Sequence, residues 1–196
     1  MKTTRTVFLF LVTLFLLSPL PALAHFCACC AERGQYSINV RKPTGYELSE
    51  LKLLKIADAA LYTDAGYPDN IKGLSPLSET YTARLFWPQR GFRFDFKSEQ
   101  NGAGVLNLAH APTMVDFRAD TYNEGEPTLY KELRFKARVL SGSGFFGKGI
   151  TPATEYFLVL QGRGNNCMSA DQFTHWRLEI TGKRASYAFY GRLKTS

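Results

Sequence analysis

The residues best suited to chemistry in this chain are one histidine and three cysteines set close together, His25, Cys27, Cys29 and Cys30. They follow Ala22-Leu23-Ala24, the small-x-small pattern after which a signal peptidase cuts. Cleavage there makes His25 the first residue and gives it a free α-amino group beside its imidazole. Two nitrogens of one residue can then chelate one ion. Cu(II) binds nitrogen ligands most strongly among the common divalent metals, so copper is the metal this pair selects. A third ligand is needed. His110 and His175 are the remaining histidines and the candidates for Cu(II), and a thiolate from Cys27, Cys29 or Cys30 is the candidate for Cu(I).

A terminal amine and imidazole at His25 resembles the start of copper histidine-brace proteins, a resemblance that covers this one residue. The thiolate route is open only while the cysteines stay reduced. The fourth, Cys167, lies far away in Gly162-Arg163-Gly164-Asn165-Asn166-Cys167, and cysteines outside the cytoplasm are oxidised in pairs. Joining Cys29 to Cys30, or Cys27 to Cys29, closes a strained ring. Cys29 with Cys167 and Cys27 with Cys30 is the least strained arrangement, and it ties the N-terminus to the distant loop. The chain-entropy model gives such a long closed loop about 4–5 kcal/mol, less any native strain.

The segment ahead of His25 carries Lys2 and Arg5, then an apolar run from Val7 to Leu17, then Ser18, Pro19 and Pro21. The run is short of the ~20 residues that cross a bilayer as a helix. Residues 1–24 are therefore expected to be a secretory signal, and 25–196 a single domain that is periplasmic or secreted. Phe26 stands where a lipoprotein signal would place a small residue. No later apolar run is long enough to span, so no transmembrane segment is expected after signal removal. Without residues 1–24 the formal charge falls from +7 to +5. The basic residues are scattered, as on a solvated surface, and there is no clustered stripe or recognition helix for nucleic acid.

The elements that must position these residues read as strands. Tyr36, Ile38 and Val40 alternate with polar residues up to Pro43-Thr44-Gly45. Residues 46–63 fit either period and lean to strand, with one helix near Tyr46–Leu61 as the alternative. Tyr81, Ala83, Leu85 and Trp87 share a face, as do Phe92, Phe94 and Phe96, which predicts a hairpin through Pro88-Gln89-Arg90-Gly91. Val105–Ala109 and Met114–Thr121 predict a second hairpin, with Val115, Phe117 and Ala119 inward and Asp116, Arg118 and Asp120 outward. Leu133–Val139, Tyr156–Leu160, Trp176–Ile180 and Ala185–Leu193 alternate in the same way. The expected fold is all-β, an antiparallel meander of about eight to ten strands forming a barrel or a sandwich with a disulfide-tied N-terminus. Parallel strands would read as continuous apolar runs with helices between them.

Gly142-x-Gly144-x-x-Gly147 imitates a dinucleotide loop and, with Lys148, most of a phosphate loop. Gly149 replaces the hydroxyl residue and no helix is predicted to follow, so it is read as a flexible turn. There is no nucleophile elbow and no His-Glu-x-x-His pair. His175 lies on the polar face of its strand, and His110 at a corner before Pro112. Three readings follow: an exported non-catalytic β-domain binding a small molecule, a glycan or a protein; a copper protein built on His25; and an enzyme without a readable signature.

Overall fold

A computed structural model describes residues 34–62, 71–78, 80–88, 91–100, 102–121 and 128–195. Residues 1–24, expected to be a signal, and His25, Cys27, Cys29 and Cys30 lie outside the described residues. Alternating apolar and polar residues build eleven strands: β1 (Tyr36–Arg41), β2 (Leu54–Ile56), β3 (Ala60–Leu61), β4 (Thr82–Phe86), β5 (Gly91–Ser98), β6 (Gly102–Ala109), β7 (Met114–Thr121), β8 (Thr128–Gly144), β9 (Glu155–Arg163), β10 (Phe173–Gly182) and β11 (Ala185–Thr195). Among the described residues one α-helix, α1 (Gly45–Leu51), joins β1 to β2.

All strand pairs are antiparallel. The sheet runs β2-β11-β10-β9-β8-β6-β5-β4. It curls until Ala59, just past β2, bridges Tyr81, just before β4, so the sheet nearly closes into a barrel. β2 and β4 are not laddered to each other, and this unzipped seam sets the site described below.

β4, β5, β6, β8, β9, β10 and β11 turn their apolar faces into the barrel, and the interior is filled. Phe94, Phe96, Phe146, Phe189 and Trp176 are 2% exposed or less. Phe96 packs 4.5 Å from Phe189 and 5.3 Å from Phe146, centroid to centroid, and Tyr81 meets Phe189 edge-on at 5.2 Å. Burying each such ring contributes about 1.5–3 kcal/mol. The glycine-rich turn after β8 is pinned to the same core, because Phe145 and Phe146 are both buried. The next regular element is strand β9, and no helix receives a phosphate there.

Three expectations are corrected. Within 46–63 the first turns are helical, because Thr44 and Glu47 form a capping box: the Glu47 amide donates to Thr44 Oγ1 at 3.2 Å, and the Thr44 amide donates to Glu47 Oε2 at 2.8 Å. β6 and β7 do not form a hairpin. They lie end to end along the long strand β8, with Gly104–Leu108 opposite Gly144–Val139 and Met114–Thr121 opposite Phe135–Thr128. β7 also carries β1 on its outer edge. Finally, β7 turns Asp116 inward, only 4% exposed, while Tyr36, Ile38 and Val40 on β1 face solvent.

Candidate functional site at the barrel seam

Residues 54–61 make one bent edge along β11. β2 pairs with Leu193–Thr195 and β3 with Phe189–Tyr190, and Ala57-Asp58 kinks between them. The kink is held closely. A Cβ on Gly191 would stand 2.1 Å from the Asp58 carbonyl oxygen, so only glycine fits there. Trp176 Nε1 donates to that carbonyl at 3.1 Å. The Arg192 amide and Nε each donate to the Asp58 carboxylate at 2.6 Å, and these bonds, helped by the nearby His175, hold it below the ordinary aspartate range.

Across the gap stands an edge of β4 that no strand among the described residues ladders. Between the two edges lies a cavity of about 620 Å³. Ile56, Tyr81, Ala83 and Leu85 reach it from the core side, and Lys55, Thr82, Arg84, Phe86 and Lys194 form its outer rim. Phe86 is 43% exposed and also walls a neighbouring hollow with Trp87 and Pro88. The register of β2 on β11 sets Lys55 directly opposite Lys194 on the outer face. Asp58 is the one acid lining the cavity among the described residues, and Arg192 engages it. Among the described residues Lys55, Arg84 and Lys194 have no ion-pair partner. The site is thus an apolar slot with a cationic rim, on which Lys55 and Lys194 face each other and Arg84 stands opposite Asp95 of β5 in register.

The histidines named from the sequence fall elsewhere. His110 is exposed in the β6–β7 connection and borders a small cleft with Lys52, Trp87 and Phe92. His175 is exposed on the outer face of β10, its Nδ1 2.9 Å from Thr174 Oγ1. No group of three His, Cys, Asp or Glu among the described residues could hold a metal ion. Cys167 is the one cysteine among the described residues, and it is not a free thiol.

A second concentration of charge, hidden from the sequence, lies where β1, α1, β7 and β8 meet. Arg41 bonds Glu47 and reaches Asp116 Oδ2 at 3.0 Å; Arg118 grips the same carboxylate at 2.7 and 2.9 Å. Burial pushes Glu47 up, but Arg41 and the Thr44 donors outweigh it and hold the group at about 2. Lys131 is 2% exposed. Its Nζ donates to the Asn166 carbonyl at 2.8 Å and to Gln172 Oε1 at 2.6 Å. Burial and then Arg118 lower it to about 8. Every one of these groups has fixed protein partners, so the cluster locks α1 and the 164–172 loop onto the sheet. It presents no free acid–base pair.

Comparison with known protein families, with curated proteins and with solved structures finds no match. The class the fold defines is an all-β, antiparallel, eleven-stranded and nearly closed barrel.

Proposed function

We propose that this chain is an exported, non-catalytic β-barrel that binds a small molecule in the seam slot between β2 and β4. One observation carries this reading: the barrel interior is occupied by packed aromatic side chains, whereas the seam opens a cavity of about 620 Å³ onto apolar side chains, within the size range of small-molecule sites. A titration with mixed small fragments, followed by amide spectra, is expected to shift Lys55, Arg84 and Lys194. Thr82→Trp, which fills the slot from an exposed position, should abolish those shifts. Shifts confined to interior residues would contradict the reading.

Export rests on the N-terminal pattern, and the disulfide expectation has support in the sheet. The Gln35 carbonyl accepts from the Asp120 amide, Asp120 pairs with Leu129, and Leu129 accepts from the Gly164 amide. The start of the described chain and the Cys167 loop are therefore separated by β7 and β8, at ~4.8 Å per step. Peptide mapping of unreduced exported protein should find Cys167 linked to the N-terminal peptide, through Cys29. A Cys167 thiol open to alkylation would end that pairing.

The copper reading keeps His25 as its anchor. His175 is favoured over His110 as the partner, because it lies on the row Ile38, Phe117, Glu132, Gln161, His175 that crosses the sheet from β1. Electron paramagnetic resonance of the copper-loaded processed protein should show nitrogen ligation that weakens in His25→Ala. Equal binding by both proteins would remove this alternative.

A further inference from the structure

The seam slot has a chemical bias that its shape alone does not require. Cross-strand neighbours on one face of an antiparallel pair sit about 4.5–5.5 Å apart at Cβ, and like charges there repel. β2 and β11 place Lys55 and Lys194 in that relation, Arg84 lines the same cavity from β4, and Asp58, the single acid among the described lining residues, is held by Arg192. Beneath these cations the gap between the strands opens onto Ile56, Tyr81, Ala83 and Leu85, with Phe86 at its side. Charge above and hydrocarbon below is the complement of an amphiphile with a negative head.

We propose that the seam slot takes a single-chain amphipathic anion, free in solution as a monomer, with a carboxylate or phosphate head and an unbranched apolar tail. This rests on the small-molecule reading above. The head sits among Lys55, Lys194 and Arg84, where it relieves the repulsion between the two lysines. The tail enters the gap along Ala83 and Leu85 and turns onto the ring of Phe86. The groove between β2 and β4 admits it without separating hydrogen-bonded strands, because those two edges share no ladder.

Octanoate, 1-octanol and phosphatidylglycerol vesicles distinguish the terms of this proposal when each is titrated into the processed protein and followed by amide shifts. Octanoate is expected to shift Lys55, Arg84 and Lys194 saturably, and 1-octanol to bind at the same amides at least tenfold more weakly. Lys194→Glu and Lys55→Glu should each weaken octanoate at least fivefold and leave 1-octanol unchanged. Both changes are at exposed positions; Arg84→Gln serves in the same role should either variant fail to fold. Added salt should weaken octanoate alone. Equal affinity for octanoate and 1-octanol at these amides would overturn the anionic head and leave the small-molecule reading standing. No shift at these amides from any probe would overturn both. Binding of vesicles without binding of monomeric octanoate would replace the free ligand by a membrane surface and overturn the proposal.

Discussion

Lys194 has Lys55 as its direct cross-strand neighbour, so removing its charge should help the fold while harming the site. Lys194→Gln is predicted to raise stability by about 0.2–1 kcal/mol at low ionic strength, measured by urea unfolding, with the gain shrinking as salt is added. A loss of stability would mean the lysine is held by contacts other than repulsion. Lys131 makes the opposite kind of test. Its folded state releases its proton near 8, below the ordinary lysine value of 10.5. Between pH 8 and 10.5 the unfolded chain therefore holds the proton and the folded chain does not, so stability rises with pH across that window. In Lys131→Met the rise should be reduced; an unchanged slope would contradict the assignment. Neither residue was legible as special in the sequence. Lys55 and Lys194 come from distant segments, and only the register brings them together. Asp116 reads as outward by alternation, and it is buried because Arg41 and Arg118 neutralise it.

Helix α1 shows how a short signal can outweigh a long one. Residues 46–63 carry apolar spacings that fit both periods, yet Thr44-Gly45-Tyr46-Glu47 is a capping sequence, and its two reciprocal bonds are made. Thr44→Ala is predicted to cost about 1 kcal/mol. Glu47 adds an acid-dependent term: its folded value lies near 2 against an ordinary 4.5. Its contribution is complete above pH 4.5 and is lost as pH falls from 4.5 to 2. Acid unfolding of Glu47→Gln should be flatter across that window, and a parallel curve would show that Glu47 is not linked to folding. The strand pairs β4–β5 and β10–β11 were readable because a local turn joins each to its alternation. The β6–β7 misreading has the same root. Thr113, Pro112 and Ala111 look like a hairpin corner, but the chain there only steps along β8, and a sequence does not say which distant strand an edge will choose.

At the scale of the whole molecule the path β2-β11-β10-β9-β8-β6-β5-β4 is laddered along its length, and between its two ends, β2 and β4, one bridge at Ala59 and Tyr81 stands in for a ladder. The all-β class and the inward faces of β4, β5, β9, β10 and β11 follow from period-two alternation. The seam does not, since it depends on how far an eleven-stranded sheet curls. An unladdered edge exchanges its amide protons quickly, while central strands are protected. Hydrogen exchange on the processed protein, with and without octanoate, therefore tests the account most directly. The seam-facing amides of β2 and β4 should exchange far faster than those of β9 and β10, and octanoate should slow the seam amides selectively. Seam amides as protected as those of β9 and β10 without ligand, or unaffected by octanoate, would contradict both the open seam and the site placed in it.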